Sequence, residues 1–342
     1  MKFPRFTCWF LFAAGAISLL SCKRLIPQER ENIGPESDIN QAVFSPTLGR
    51  TTTYEDIFSK QSTTYPATFK ILNFRRRSGD AARELETVVP VTVWKQAYTG
   101  KETSLQEIEN KRTKENHQLF EIGEHSGDLT LWAEASSRLF RSQPDSGYLF
   151  DLEVSNSGGR RYFQALRLMP MKEIPFEPTN IDQLTGMPTR AYVFPSTVNM
   201  KGDSTGRTLS ASDVRVYIRK VDDGGKNEHK LTIRFLDKQD RFINPDRFSN
   251  TNWAGLLHGF NMVKNATGVT YDVAYPIPLA RLRTLYTTSS GEMATLRFSY
   301  FRTVVGGETR ENYLGLDFRI FEPGNWEIVF KFVNDNPRFT ND

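Results

Sequence analysis

The sequence contains few of the residues that most often carry metal or redox chemistry. The 342-residue chain has two cysteines, Cys8 and Cys22, both near its start, and four histidines. The histidines show none of the close spacings typical of zinc sites; they are His117, His125, His229 and His258. Glycine-rich nucleotide motifs and serine-nucleophile motifs are also missing from the sequence. We therefore expect no metal centre, no cofactor and no catalytic residues, and predict that the chain is not an enzyme.

The chain also lacks a strong excess of one charge. Lys and Arg total 44 against 40 Asp and Glu, so the formal net charge is +4. Nucleic-acid-binding proteins usually carry a basic stripe or a much larger positive balance. The local cluster Arg75-Arg76-Arg77 is typical of a solvated strand end. We expect no nucleic-acid partner.

No apolar run is long enough to cross a bilayer. The apolar stretch at residues 6–20 is 15 residues long and follows Lys2 and Arg5. A spanning helix needs about 20 apolar residues, whereas an export signal needs about 7–15 after a basic start. The stretch Leu19-Leu20-Ser21-Cys22 resembles the lipobox of bacterial lipoproteins, in which a small residue precedes the acylated cysteine. We expect residues 1–21 to be a lipoprotein signal peptide and Cys22 to be the lipidation site.

Acylation at Cys22 would anchor the chain to the outer membrane through its N-terminal acyl chains. Two or more acyl chains make a stable anchor, because each buried methylene contributes about 0.8 kcal/mol. Lipoproteins displayed on the cell surface often have acidic residues just after the cysteine, but here the first acid is Glu29. The sequence leaves open whether the protein faces the periplasm or the cell exterior.

The remainder of the chain favours a mainly β fold. Residues 22–62 are polar and lack sustained periodicity, so we expect a tether and an extended lead-in that is partly ordered near Tyr54 and Phe58. Alternating strand patterns then fill residues 63–177 and 178–342, separated by a proline-rich stretch. Clean alternation is typical of antiparallel sheets with one face in the core. We predict two antiparallel β-sandwich domains, immunoglobulin-like or jelly-roll-like.

Local signals within these regions predict four further features. "GYLFDLEVSNSGGRRYFQALRL" is typical of two strands joined by a Ser-Gly-Gly turn. "VRVYIRKV" and "HKLTIRFLDK" are separated by "DDGGKNE", which predicts a hairpin. "TSLQEIENKRTKE" predicts a helical insertion with a capping box at Thr103 and Gln106 or at Ser104 and Glu107. "NTNWAGLLHGFNMVKN" is compatible with a short helix.

Sugar binding is the chemistry that the exposed aromatic candidates favour, since sugar rings stack on aromatic faces while polar groups take the hydroxyls. Trp253 lies in "SNTNWAGLLHG" near Asn252 and His258, and these polar surroundings make it the preferred exposed platform. The alternative is a tryptophan packed beneath its loop, because large aromatic side chains are mostly buried. Tyr313, in "GETRENYLG", is a further candidate.

Two other functions are weighed against a binding module. Asp151 and Glu153 lie two residues apart on one strand, about 7 Å, a separation compatible with the carboxylate pair of a glycoside hydrolase. A catalytic acid needs an apolar pocket that raises its pKa, and the sequence predicts no such pocket for either residue. A solvated pair of carboxylates is therefore favoured. A structural or adhesive role would use outward-facing arginines as a basic sheet face, and ordinary solvent-facing positions are the alternative. These arginines are Arg215, Arg219, Arg234, Arg297 and Arg319.

Several phrases resemble one family of exported bacterial lipoproteins, the domain-of-unknown-function 5007 family. They are "VPVTVWKQAYTGKETSLQEIENKR", "PDSGYLFDLEVSNSGGRRYF", "LRLMPMKEIPFEP" and "VTYDVAYPIPL". The resemblance covers most of residues 45–340 and implies a lipoprotein signal followed by a long β-rich body. It implies an accessory lipoprotein of glycan-using or surface-remodelling bacteria and supplies no catalytic residues.

Taken together, the sequence predicts an outer-membrane-anchored lipoprotein that acts as a non-catalytic binding module. Its expected partner is a polysaccharide or an outer-membrane transporter that it assists. The alternatives are a surface protein that binds a protein partner and, less favoured, a glycoside hydrolase.

Overall fold

The computed structural model describes residues 31–222, 224–226 and 228–342. The signal peptide at 1–21 and the lipidation site Cys22 lie outside the described residues. Within those residues no helix has the length and apolar content needed to cross a bilayer. The chain is mainly β and folds around two large hydrophobic cores, one on each side of residue 175.

The N-terminal unit comprises residues 31–175. Its strands are β1 (Asp38–Ile39), β2 (Val43–Phe44), β3 (Thr52–Tyr54), β4 (Phe58–Ser59), β5 (Thr68–Arg76), β6 (Val88–Trp94), β7 (Arg112–Gln118), β8 (Phe120–Ile122), β9 (Leu129–Leu131), β10 (Tyr148–Asn156) and β11 (Gly159–Leu168). A four-stranded sheet, β2-β11-β10-β5, packs against a three-stranded sheet, β3-β9-β8. The two sheets meet through aromatic contacts: Phe44 lies 5.1 Å from Tyr54, and Phe120 lies 5.3 Å from Phe150, centroid to centroid.

The lead-in before residue 63 is part of this unit. Phe44 and Leu48 are fully buried in the N-terminal core, together with Ile57 and Phe58. Strand β2 extends the sheet by pairing in parallel with β11. The structured body therefore begins well before the predicted boundary at 63, because apolar residues scattered through a polar segment still supply one edge of the sandwich.

The C-terminal unit comprises residues 176–342, and its first strand starts two residues before the predicted boundary at 178. Its strands are β12 (Phe176–Glu177), β13 (Ser196–Val198), β14 (Val214–Val221), β15 (Lys230–Leu236), β16 (Phe260–Asn265), β17 (Gly268–Asp272), β18 (Ala294–Thr303), β19 (Thr309–Ile320) and β20 (Asn325–Phe332). One sheet joins β12, β13 and β18 to β19, and the other has the order β14-β20-β15-β17-β16. Phe235 of β15 lies 4.8 Å from Phe298 of β18, so the two sheets face each other across an aromatic core.

The predicted hairpins have different outcomes. Strands β10 and β11 pair antiparallel down to the turn at Asn156 and Gly159, which confirms the first. The hairpin of β14 with β15 is wrong, because β20 lies between them, antiparallel to β14 and parallel to β15. Strand β20 has five consecutive buried residues from Trp326 to Phe330, and Glu327 among them is paired with Arg219 of β14 and Arg234 of β15. Such a strand is stable only in the middle of a sheet, so it displaces the local pairing.

The two predicted helices also differ. A helix, α1 (Leu105–Asn110), forms with Ser104 as its N-cap, whose hydroxyl accepts a bond from the Glu107 N–H at 3.1 Å. The Glu107 carboxylate in turn accepts from the Thr103 N–H at 2.8 Å. The helix suggested across 250–265 is wrong: its first half consists of turns and its second half is β16.

The helical insertion joins the two units. Helix α1 connects β6 and β7, which form a separate two-stranded arm. Ile108 on the helix is fully buried against Ala274 and Leu279 of the C-terminal unit, with Trp94 and Tyr98 packed alongside. The arm is therefore an apolar bridge between the units.

Candidate functional site

Trp253, the preferred sugar platform, is not on the surface. The indole is 7 % exposed and packs on Phe298 at 5.6 Å and Phe235 at 6.3 Å, ring to ring. The Tyr271 hydroxyl donates to the Trp253 carbonyl at 2.6 Å, which fixes the loop over the core. The exposed platform is wrong, and the packed-loop alternative is correct, because the short loop closes the open edge of the sandwich.

Asn252 is exposed but serves its own turn. Its side-chain oxygen accepts a bond from the Gly255 N–H at 3.1 Å, which is an ordinary turn interaction for asparagine. It lies beside Trp253 in sequence without sharing a surface site with it.

His258 belongs to the junction between the units. The imidazole stacks on the Tyr286 ring at 4.9 Å with an interplanar angle of 6°. Its Nε2 lies 2.8 Å from the Glu102 carbonyl oxygen, so Nε2–H donates there and Nδ1 accepts from the Tyr98 hydroxyl at 2.5 Å. Both ring nitrogens are thus used to attach the arm to the C-terminal unit, and they are not available for a ligand.

Asp151 and Glu153, the candidate carboxylate pair, bind different partners. Asp151 is 6 % exposed and accepts bonds from Arg75 at 2.9 Å, Asn73 at 2.8 Å and the Ala165 N–H at 2.8 Å. Asn73 and Ala165 both have left-handed backbone, with φ of 54° and 59°, where the ladders on either side of β10 shift register. One carboxylate therefore holds two bulges.

Burial raises the pKa of Asp151, but the bonds from Arg75, Ala165 and Asn73 outweigh it, so the pKa is lower than usual. A general acid of a glycoside hydrolase requires the opposite shift. Glu153 lies 3.8 Å from Arg160 in a separate ion pair. The expectation that both acids are on a wet face is wrong for Asp151.

The five arginines do not share a face. Arg215, Arg219 and Arg234 are on the outer side of the five-stranded sheet, whereas Arg297 and Arg319 belong to the opposite sheet. Carboxylates neutralise most of them: Arg219 and Arg234 both bind Glu327, while Arg297 binds Glu311 and Arg319 contacts Glu177 and Glu292. A continuous basic sheet face does not form.

Tyr313 occupies a different position, on the outer face of the β18–β19 pair. Leu314 and Phe298, its neighbours in the ladder, are fully buried, so the alternation of the strand directs Tyr313 outward. It borders an open depression of about 470 Å³, in the size range of small-molecule sites. We call this the Tyr313 depression. Its principal lining side chains are Tyr313, Arg297, Glu311, Arg310, Glu308 and Asn199.

The depression is built from paired charges around one aromatic ring. The Arg297 guanidinium lies 4.1 Å from the Tyr313 ring centroid and 2.6 Å from a Glu311 carboxylate oxygen. Arg310 donates to Glu308 at 2.7 Å. Asn199, whose φ of 56° is left-handed, donates its amide to the Glu311 carbonyl at 2.9 Å, which ties β13 to β19. The depression thus offers donors and acceptors beside one aromatic ring, and the charges of its two arginine–glutamate pairs balance.

The carboxylates at the depression are paired with arginines. The hydrogen bond from Arg310 lowers the pKa of Glu308, so that carboxylate stays ionised and does not act as an acid near neutral pH. Among the residues that the structure describes, no cluster of His, Cys, Asp and Glu is arranged to hold a metal ion. Ring, amide, guanidinium and carboxylate are the groups that bind the C–H faces and hydroxyls of a sugar.

Only Tyr313 of the sequence-predicted residues lies at this depression. Asn199 is 114 positions away in sequence and reaches it only because β13 pairs with β19. From the sequence, Arg297 is predicted only as part of a basic face. One signal in the sequence could have placed Arg297 beside Tyr313. If β18 and β19 form a hairpin, strand alternation places both side chains on its outer face.

The fold and the depression define a class: a mainly β protein with two sandwich cores and a polar surface site. Residues 58–341 match the family described as "Domain of unknown function (DUF5007)". The match covers most of the chain, which belongs to this family. No curated protein matches the chain.

Proposed function

We propose that this protein is an outer-membrane-anchored lipoprotein that binds a glycan without catalysis, at the Tyr313 depression. One observation carries the proposal: Tyr313 borders an open surface depression that two arginine–glutamate pairs and Asn199 also line, and its ring contacts Arg297 of one pair. A sugar presents a C–H face and several hydroxyls, which suit an aromatic ring with donors and acceptors beside it.

Neighbouring residues extend the same surface. Phe301 is 52 % exposed and pairs with Glu311 in the β18–β19 ladder, on the face that carries Tyr313. Diagonal positions on one face of an antiparallel pair are about 7–8 Å apart. Two aromatic side chains at that spacing suit adjoining sugar units of a polymer, and we therefore favour a polysaccharide over a free monosaccharide.

The anchor follows from the sequence around Cys22. A basic start, a short apolar core and a small residue before the cysteine support acylation. In this proposal the polar segment after Cys22 connects the acyl chains to the N-terminal unit, and the C-terminal unit carries the glycan site. Capture of a polysaccharide for an outer-membrane transporter is the role that such an arrangement serves.

The test is affinity electrophoresis of the chain from Lys23 onward in gels containing a panel of polysaccharides. We expect one or more glycans to retard the protein, and Tyr313→Ala to abolish the retardation. Tyr162→Ala is the matched control, because Tyr162 is a 47 % exposed tyrosine on β11 of the N-terminal unit. Retardation that survives Tyr313→Ala would remove this site, and no retardation by any glycan would contradict the proposed ligand class.

A further inference from the structure

The loop at residues 281–286 presents an unusually exposed leucine. Leu285 is 90 % exposed, and Leu282 in the same loop is 36 % exposed. Single apolar residues at the surface are common and by themselves indicate nothing. The surroundings of Leu285 distinguish it.

The loop is held in place on both sides. The Thr284 N–H donates to the Thr287 hydroxyl at 2.8 Å, and that hydroxyl donates to the Leu282 carbonyl at 2.9 Å. Tyr286 stacks on His258, as described above. Gly100 at the end of the arm lies so close to Thr284 that an added Cβ would come within 2.5 Å of its methyl group. Leu285 is therefore presented by an ordered loop between the two units.

Positive charge surrounds this leucine. Arg281 and Arg283 flank Leu282 in the loop, and exposed Lys101 follows Gly100 on the arm. Arg281 binds Glu292 at 2.7 Å, whereas no described residue forms an ion pair with Arg283 or Lys101. Glu102, the acid next to Lys101, is buried and paired with Lys111. The loop thus combines protruding apolar side chains with cations that have no counter-charge.

We propose that the 281–286 loop docks on an anionic bilayer surface, with Leu285 entering the interface and Arg283 and Lys101 facing lipid phosphates. Charge complementarity argues for this occupant, since anionic leaflets attract such cations. Half-buried Tyr98 and Tyr286 behind the loop are the residue type favoured at membrane interfaces. A stable protein partner would need a contact area of about 800 Å² on each side, which is much larger than a single protruding loop provides.

This contact is separate from the glycan site and would add to the acyl anchor rather than replace it. One leucine and a few cations give weak binding alone, and stable anchoring takes two signals. The loop would therefore set the orientation of a protein already held at the membrane. Each cation near an anionic surface contributes about fivefold to partitioning.

The experiment is flotation of the chain from Lys23 onward, which contains every described residue, with vesicles of phosphatidylcholine and phosphatidylglycerol in equal parts. We expect binding that added salt weakens and that pure phosphatidylcholine vesicles do not support. Leu285→Asp should lower the partition coefficient about tenfold, and Arg283→Glu, which changes the charge by two, should lower it about twenty-fivefold. Both side chains are exposed, so folding is not at risk.

The matched control is Val305→Asp, since Val305 is 87 % exposed in the turn between β18 and β19. It should bind the anionic vesicles as the unaltered chain does. The inference is overturned if the unaltered chain does not float with anionic vesicles, if neutral vesicles bind it equally, or if Val305→Asp loses as much binding as Leu285→Asp. The first of these results would redirect the loop to a protein partner.

Discussion

Trp253 and Tyr313 lie on opposite sides of the same pair of strands. Trp253 packs on Phe298 at the inner face of β18 and β19, where aromatic rings fill the core. Tyr313 lies at the outer face, where its ring meets Arg297 and paired charges. Aromatic side chains thus have two roles at this strand pair. Strand alternation directs Tyr313 outward, whereas the loop that covers the sheet edge buries Trp253. An aromatic residue in a polar stretch of sequence is not thereby a surface residue.

The largest expected effect is on the inner side. Trp253→Ala should lower the free energy of unfolding by about 3–5 kcal/mol, because it leaves a cavity beside Phe298 and Phe235. Urea denaturation followed by tryptophan fluorescence and circular dichroism measures this. A loss below about 1 kcal/mol would show that the indole is not packed in the core, and would reopen the question of an exposed platform.

Asp151, in the N-terminal unit, is comparable to Trp253: both are candidate site residues that have a structural role in the fold. Asp151→Asn should cost about 2–4 kcal/mol, since it weakens bonds to two bulges and leaves Arg75 without its counter-charge. Glu153→Gln on the same strand is the control and should cost less than about 1 kcal/mol, because its ion pair is long. Equal effects of the two substitutions would contradict a special role for Asp151.

The stabilisation by Asp151 depends on pH in a direction that can be stated. Its folded pKa lies below the ordinary value, so the ionised form is favoured in the folded state. The stabilisation is fully present above the unfolded pKa of about 3.9 and is lost as the pH falls through the lower folded pKa. The difference in unfolding free energy between the native chain and Asp151→Asn should be constant from neutral pH to about pH 5 and shrink in stronger acid. A difference that grows on acidification would contradict the lowered pKa.

Ser104 gives a smaller effect at the junction. Ser104→Ala removes the N-cap of α1 and should cost about 1 kcal/mol, whereas Ser104→Asp should retain most of the stability. Thermal denaturation of the three proteins side by side measures the difference. Helix α1 holds the arm on the C-terminal unit, so hydrogen exchange should quicken at residues 97–111 in the alanine variant only. Unchanged exchange there would show that the cap does not control the arm.

The smallest expected change in stability is on the outer face. Tyr313→Ala should alter the unfolding free energy by less than about 1 kcal/mol, because the ring is partly exposed and its main contact is Arg297 at the surface. Urea denaturation beside Trp253→Ala makes the contrast directly. A loss comparable to that of Trp253→Ala would mean that Tyr313 is a structural residue.

The sequence predicted those parts of the fold that local signals control. The β10–β11 hairpin follows from alternation and a Ser-Gly-Gly turn, and the cap of α1 follows from Ser104 and Glu107. The β14–β15 pairing failed because β20, about 90 residues later, takes the central position. No local pattern contains that competition, since it depends on a distant strand that packs one face on the core and pairs Glu327 on its other face with arginines of both neighbouring strands.

The candidate site was predictable to a similar extent. Alternation in β19 indicates that Tyr313 faces outward, once Leu314 and Leu316 are assigned to the core. The burial of Trp253 depends on a loop that folds over the sandwich edge and is fixed by the Tyr271 hydroxyl. Asn199 and the cation–aromatic contact with Arg297 depend on pairings between distant strands, which residue types alone do not specify.

The most direct test of the account is calorimetric titration of the retarding glycan into Tyr313→Ala, Tyr313→Trp and the unaltered chain. If the ring stacks on a sugar, the tryptophan variant should keep the affinity within about threefold, and the alanine variant should lose at least tenfold. Equal affinity of the alanine variant and the unaltered chain would contradict a glycan site at the outer face of β18 and β19.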